Sequence, residues 1–156
     1  MRPSPATQVT DLEVVTLYHD PACSVSRNTL GLIRNAGIEP TIIDYLHDPP
    51  TVVQLAEMIG AAGLSVRAAL REKGTPFHEL ALGNPALTDA QLLESMISHP
   101  ILIERPFVAT SRGTRLCRPA ERVLDILPRA QRGFFAKENG EIVVSANGQR
   151  VQARQR

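Results

Sequence analysis

Cys23 is the residue whose position points most directly to chemistry. It follows the β-branched run at residues 13–18 and lies immediately before Ser24, where helical periodicity begins. Backbone N–H groups at a helix start are unpaired and the helix dipole is positive there. A thiolate is therefore stabilised and can act as a nucleophile near neutral pH. His19 could add positive charge, and the loop at Asp20-Pro21 disfavours the alternative of an inert buried thiol.

Serine at position 26 indicates a monothiol mechanism. A dithiol enzyme would carry Cys-x-x-Cys here, whereas this chain reads Cys23-Ser-Val-Ser26. Serine cannot form the intramolecular disulfide that releases a mixed-disulfide partner, so an outside thiol must resolve any adduct on Cys23. Arg27 could add positive charge, but it follows Cys23 too closely for a phosphatase-type loop. Cys117 lies in a strand-like stretch and is interpreted as a packed thiol in preference to a resolving cysteine.

Arginine supplies nearly all of the positive charge, with 15 arginines against two lysines. Arg71, Arg105 and Arg118 lie at the ends of elements, and the last two each precede a proline, which holds them in extended geometry. Guanidinium groups bind tetrahedral oxyanions bidentately. If the three converged on a thiolate, they would lower its pKa and neutralise a doubly charged oxyanion. For any one of them alone, a solvated surface charge is the simpler interpretation.

The elements that must position these side chains begin with a βαβ unit. Strands are expected at residues 13–18 and 41–46, parallel to each other and joined by a helix at 24–36. The later elements are helices at 51–63, 65–71 and 88–98, antiparallel strands at 107–110 and 114–118, and a helix at 119–127. This order predicts an α/β, thioredoxin-like mixed sheet with a helical insertion at about 51–99. Such folds place a cis proline opposite the active-site cysteine, so we expect Pro106 to be cis.

Composition predicts one compact cytoplasmic domain. The chain has 156 residues, a net charge of +1, two cysteines and no apolar run approaching the ~20 residues of a membrane span. No strong field recruits nucleic acid or an anionic membrane, and no Cys or His spacing suggests a metal or a tightly bound cofactor. The N-terminal segment lacks the features of a signal peptide. A reduced, cytoplasmic location is therefore expected.

Three regions are expected along the chain: a flexible leader at 1–12, the domain at 13–127, and a basic C-terminal tail at 128–156. The tail carries 6 Lys and Arg against 2 Asp and Glu, whereas residues 1–127 carry 11 against 14. A solvated tail with a weak hairpin around Asn139-Gly140 is favoured over a nucleic-acid-binding arm.

Several stretches together resemble the ArsC-type, glutaredoxin-coupled arsenate reductases, over roughly residues 13–145. The matching segments are Tyr18-His-Asp-Pro-Ala-Cys-Ser-Val-Ser-Arg-Asn-Thr-Leu30, Thr41-Ile-Ile-Asp-Tyr-Leu46 with Pro49-Pro-Thr51, Ser65-Val-Arg-Ala-Ala-Leu-Arg71, His99-Pro-Ile-Leu-Ile-Glu-Arg-Pro106 and Gly113-Thr-Arg-Leu-Cys-Arg-Pro119. The resemblance implies arsenate as substrate, phosphate and sulfate as competing anions, and glutathione with glutaredoxin as the electron source.

The resemblance also implies roles for particular residues. Cys23 would be the nucleophile, and the oxyanion would be bound by Arg71, Arg105 and Arg118. His19 would help to lower the thiol pKa, and Ser26 would hydrogen-bond the thiolate. The chain departs from the family pattern at Asp20, Ser24 and Val25, and Asp20 puts a negative charge near the anion site.

Two other functions fit the same fold. A redox regulator of the ArsC-like superfamily that binds RNA polymerase would carry Cys-x-x-Cys, so Ser26 counts against it. A glutathione-dependent monothiol oxidoreductase with another substrate would not need all three arginines.

Overall fold

Four strands form one mixed sheet in the order β2-β1-β3-β4. The strands are β1 (Thr16–Tyr18), β2 (Thr41–Ile43), β3 (Phe107–Thr110) and β4 (Gly113–Leu116). Strand β1 pairs parallel with β2 and antiparallel with β3, which pairs antiparallel with β4. The structure is a computed structural model that describes residues 13–151, so the leader expected at 1–12 lies outside the described residues. The predicted α/β, thioredoxin-like mixed sheet is confirmed.

Residues 13–151 contain the α-helices α1 (Ser24–Asn35), α2 (Val52–Ala61) and α3 (Asp89–Ser98). Thr51 and Thr88 cap α2 and α3, each in a reciprocal capping box with the glutamine three residues on. Across the described part of the chain, none of the helices has the length and apolar character that crossing a bilayer requires.

Two of the predicted helices are shorter and tighter than expected. The segments at 65–71 and 119–127 contain the 3₁₀ helices Arg67–Ala69 and Ala120–Asp125, and a third lies at Pro100–Leu102. Leu70 is extended and ends the first of these segments after a single turn, whereas Pro119 is the N-cap of the second, which is six residues long.

The two faces of the sheet belong to two hydrophobic clusters. One cluster joins the sheet to α1 and includes Leu17, Leu32 and Val108. The other joins the sheet to the helical insertion and includes Leu55, Leu92 and Phe107. The insertion therefore has its own apolar core, and residues 69–71 and 102–104 at its two sides are held close to the sheet edge.

The hairpin expected around Asn139-Gly140 is present, but residues 128–151 are packed against the domain and do not form a solvated tail. Strands β5 (Phe135–Ala136) and β6 (Ile142–Val144) form an antiparallel hairpin. Val143 and Val144 are buried in the cluster around α1. Gly31 on α1 leaves room for the Phe135 ring, because a Cβ at Gly31 would lie 2.7 Å from that ring. The apolar side chains of this segment outweigh its net charge in deciding where it lies.

Candidate active site

Strand register brings three separate parts of the chain to one edge of the sheet. Tyr18 at the end of β1 lies opposite Phe107 at the start of β3, and Phe107 lies opposite Leu116 at the end of β4. The loop after β1, the residues before β3 and the residues after β4 are therefore neighbours. The sequence-predicted site residues in these three segments are Cys23, Arg105 and Arg118.

Arg71 reaches the same edge through a short backbone pairing. Residues 69–71 run antiparallel to 102–104 through an isolated β-bridge, flanked by backbone hydrogen bonds of 2.7 and 2.8 Å. Arg71 Nη1 donates to Glu104 Oε1 at 3.0 Å, and Glu104 Oε2 lies 3.9 Å from Arg118 Nε. Glu104 therefore connects two of the three arginines, and its charge partly balances theirs.

Cys23 is the N-cap residue of α1 and its side chain is partly exposed. Partial burial raises the pKa of the thiol, but four other groups lower it more: the backbone N–H of Ser26, the Arg105 side chain, the backbone N–H of Val25 and the Arg118 side chain. The pKa of Cys23 therefore lies below its ordinary value, which increases the thiolate fraction near neutral pH. This is the environment that a nucleophilic cysteine needs.

Arg118 and Arg105 approach the sulfur from the strand side. Arg118 Nη1 lies 3.8 Å from Cys23 Sγ and donates to the carbonyl oxygen of Arg105 at 3.0 Å. The Arg105–Pro106 peptide bond is cis, as the fold predicted, and Arg118–Pro119 is also cis, which the sequence analysis did not predict. Both guanidinium groups therefore act on the Cys23 thiol, and both are close enough to it to bind an anion that the sulfur attacks.

Asp20 is the acidic partner of Arg105. Asp20 Oδ2 lies 3.3 Å from Arg105 Nε, and both side chains are nearly buried. Asp20 Oδ1 accepts a hydrogen bond from the Ala22 N–H, which shapes the loop that carries Cys23. The negative charge that the sequence placed near the site is therefore inside it. It neutralises Arg105 until another anion competes.

Ser26 and His19 form a buried pair beneath the nucleophile. The Ser26 hydroxyl lies 2.7 Å from His19 Nδ1 and accepts from the Asp20 N–H at 3.1 Å. Ser26 therefore acts on the Cys23 thiol with its backbone N–H, while its hydroxyl holds the loop. Burial lowers the pKa of His19, although Asp20 opposes this, which disfavours the positive charge that the sequence analysis expected of it. The contact that the structure shows for the His19 side chain is the one with Ser26.

Arg27 and Cys117 lie outside the group that faces the sulfur. Arg27 makes a bidentate ion pair with Glu138 on the C-terminal hairpin and donates to the Pro21 carbonyl, so its charge is already paired. Burial raises the pKa of Cys117 to about 12, because the side chain is enclosed in the core around α1. Cys117 is the packed strand thiol that the sequence indicated.

Sequence reasoning missed Glu104 and Tyr45. Glu104 precedes Arg105 and could have been suspected as a counter-ion once the arginines were expected to converge. Tyr45 is buried and lies just after the end of β2. The loop that carries Cys23 begins at the end of β1, at the same edge of the sheet. The carboxyl ends of neighbouring parallel strands form ligand sites in open sheets, which is the signal that could have identified Tyr45.

The arrangement can bind a tetrahedral oxyanion beside a thiolate. Arg105 Nε and Nη1 are buried, and neither has a hydrogen-bond partner among the described residues. Within residues 13–151, no group of three or more His, Cys, Asp or Glu side chains could hold a metal ion. A cysteine with a lowered thiol pKa, no neighbouring resolving thiol, and nearby guanidinium donors that lack hydrogen-bond partners in the described part of the chain define a thioredoxin-like monothiol site for an anionic electrophile.

The chain belongs to the ArsC family, whose family model matches residues 18–126. It is 61% identical to an arsenate reductase of Rhizobium meliloti (strain 1021), over 88% of this chain and 98% of the relative. It is 56% identical to an arsenate reductase of Escherichia coli (strain K12), over 88% of this chain and 97% of the relative. The solved structure of an arsenate reductase from Vibrio cholerae matches with a TM-score of 0.71 at 45% identity, covering 74% of this chain and 98% of that one.

Proposed function

We propose that this protein is an arsenate reductase in which Cys23 is the nucleophile and Arg71, Arg105 and Arg118 bind the oxyanion. The observation that carries the proposal is the contact of Arg118 Nη1 with the Cys23 sulfur beside the unpaired donors of Arg105. The names of the ArsC-family relatives support arsenate as the substrate.

The first step is attack of the Cys23 thiolate on arsenic(V). An As–S bond forms, an As–O bond breaks, and the departing hydroxide takes a proton from solvent and leaves as water. Arsenic keeps its oxidation state in this step, so the enzyme-bound product is a thiol–arsenate adduct. Arg105 and Arg118 stabilise the charge on the remaining oxygens, where preorganised donors at a partly desolvated site are most effective.

The next steps need two electrons from outside thiols, because Ser26 cannot supply a second sulfur. The glutathione thiol attacks arsenic, so a second As–S bond forms and an oxygen ligand leaves as water. The glutaredoxin thiol then attacks the glutathionyl sulfur, and the electron pair of that As–S bond stays on arsenic. Two thiols are thus oxidised to one mixed disulfide while arsenic(V) is reduced to arsenic(III). Water then replaces the Cys23 sulfur on arsenic(III), so arsenite leaves and the Cys23 thiol is restored. The glutathione co-substrate, the glutaredoxin partner and a cytoplasmic location belong to this proposal together.

Phosphate and sulfate should compete with arsenate for the same arginines without being turned over. Both are tetrahedral oxyanions, to which a guanidinium group can donate two parallel hydrogen bonds. Phosphorus(V) accepts thiolate sulfur far less readily than arsenic(V). Phosphate should therefore occupy the site without forming a bond to Cys23.

The deciding assay follows NADPH oxidation and arsenite formation with glutathione, glutaredoxin and glutathione reductase. Wild type should show arsenate-dependent oxidation, Cys23→Ser should fall to background, and the matched control Cys117→Ser should keep its activity. Absence of arsenate-dependent oxidation in wild type would refute the reductase proposal. Full activity in Cys23→Ser would refute the assignment of the nucleophile even if the reaction occurs.

A further inference from the structure

Tyr45 lies in the segment that follows β2, just as Cys23 lies in the segment that follows β1. The His19 N–H donates to the Ile43 carbonyl oxygen at 2.9 Å, which joins the loop after β1 to the residues after β2. Because β1 and β2 are parallel, the segments that follow them emerge at one edge of the sheet. The position of Tyr45 is therefore set by the same backbone that sets the nucleophile loop.

The Tyr45 side chain is buried, but its polar end has no partner. Only 2% of the residue is exposed, and its hydroxyl has no hydrogen-bond partner among the described residues. Tyr45 belongs to the same hydrophobic cluster as Ala69, Ile103 and Phe107, which lie close in the chain to Arg71 and Arg105. Buried hydroxyl groups are normally hydrogen-bonded, so an unpaired one at a site points to a ligand.

Two further buried donors without partners lie on Arg105. They are Nε and Nη1, and Nε lies 3.3 Å from Asp20 Oδ2 without a hydrogen bond between them. Burial raises the pKa of Tyr45 far above its ordinary value. Arg105 lowers that pKa, whereas Asp20 and Cys23 raise it further. The phenol is therefore a protonated donor wherever the Cys23 thiolate is present, and it is surrounded by the charged groups of the site.

We propose that Tyr45 is a substrate-binding residue whose hydroxyl donates a hydrogen bond to an oxygen of the anion held between Cys23 and Arg105. One tetrahedral oxyanion would then satisfy all three unpaired donors. Tyr45 adds a neutral donor to a site whose other donors are cationic, so it strengthens anion binding without adding charge. The identity of the anion as arsenate rests on the proposed function, whereas the donor set itself suits any tetrahedral oxyanion.

The test compares Tyr45→Phe with wild type, using phosphate as the probe. Phosphate should protect Cys23 from iodoacetamide in wild type, and the concentration for half-protection should rise by roughly tenfold or more in Tyr45→Phe. The alkylation rate without anion and the Tm should change little, because phenylalanine keeps the ring. Tyr18→Phe is the matched control, since Tyr18 lines a groove beside α2 and should leave protection unchanged.

Equal half-protection in Tyr45→Phe and wild type would overturn the inference, and so would a wild-type protein that phosphate does not protect. Protection without arsenate turnover would refute the proposed reductase and leave the role of Tyr45 standing. Should Tyr45→Phe fail to fold, tyrosine ring carbon signals in wild type decide the question. The chain has only two tyrosines. The Tyr45 Cζ signal should shift on phosphate addition, and a signal that stays in place would overturn the inference.

Discussion

Arg118 Nη1 contacts two groups at once: the Cys23 sulfur at 3.8 Å and the Arg105 carbonyl oxygen at 3.0 Å. The hydrogen bond to the Arg105 carbonyl oxygen holds the Arg118 guanidinium close to the thiol. Its positive charge is therefore fixed beside the sulfur, unlike that of a mobile surface arginine. The contact joins residues that are 95 positions apart, and it exists because β3, which pairs with both β1 and β4, brings the end of β4 to the edge where the loop after β1 lies.

The pH dependence of Cys23 alkylation tests this contact. The thiol pKa is lowered from 9.0, so the rate with iodoacetamide should rise with pH through a midpoint below that value. Arg118→Ala should move the midpoint upward and raise the arsenate KM by roughly tenfold, because it removes a charged donor. Arg112→Ala, on the exposed β3–β4 turn, is the control. A midpoint that is equal in wild type and Arg118→Ala would contradict the role of Arg118.

Asp20→Asn should strengthen anion binding. The asparagine keeps the Oδ1 acceptor for the Ala22 N–H but removes the charge that lies 3.3 Å from Arg105. We expect the arsenate KM to fall by roughly three- to tenfold, since a competing carboxylate is gone. Steady-state kinetics measure the effect, with Asp48→Asn on an exposed loop as the control. An unchanged or raised KM would show that Asp20 does not compete with the substrate.

Glu104→Gln should separate binding from turnover. Glu104 is the common anchor of Arg71 and Arg118, and glutamine cannot hold both by charge. We expect kcat to fall by roughly tenfold because Arg71 loses its ion pair and Arg118 keeps its bond to the Arg105 carbonyl oxygen without the nearby Glu104 charge, so the two guanidinium groups are held less firmly. KM should change little, because the site also becomes more positive. Glu39→Gln is the control, because it breaks only an exposed ion pair with Arg34. An unaltered kcat in Glu104→Gln would show that Glu104 does not position the two arginines.

The two cysteines should differ sharply in reactivity. Burial raises the pKa of Cys117 to about 12, whereas the pKa of Cys23 is below its ordinary value. Mass spectrometry of native protein treated with iodoacetamide at pH 7.5 should therefore find the label on Cys23, and Cys117 should react only after unfolding. Comparable labelling of both cysteines in the native state would count against this difference.

The C-terminal hairpin should contribute to the stability of the whole domain. Val144 is buried in the core around α1, so Val144→Ala should lower the free energy of unfolding by about 2 kcal/mol. Ile142→Ala, at a half-exposed position on the same strand, should cost much less. Urea unfolding measures both, and equal losses would show that the hairpin is not part of the core.

Much of the fold follows from local patterns. The β-branched runs, the helix after Cys23, the threonine caps at 51 and 88, and the hairpin turn before Gly113 all depend on neighbouring residues. The sequence pattern did not distinguish the two 3₁₀ helices from α-helices. The hairpin around Asn139-Gly140 follows from its turn residues, but its packing does not, because the burial of Val143 and Val144 depends on α1 lying nearby.

The sequence by itself determined which functional groups the site can use: a cysteine at a helix start, a serine where a second thiol would be, and arginines at strand boundaries. Only the tertiary structure decided how the charges are shared. It pairs Arg71 with Glu104, places Asp20 against Arg105, joins His19 to Ser26, and leaves the Tyr45 hydroxyl without a hydrogen-bond partner among the described residues. The physical reason is that pairing and desolvation depend on which distant segments the sheet brings together, whereas local periodicity identifies strands and helices but not the strands that become neighbours.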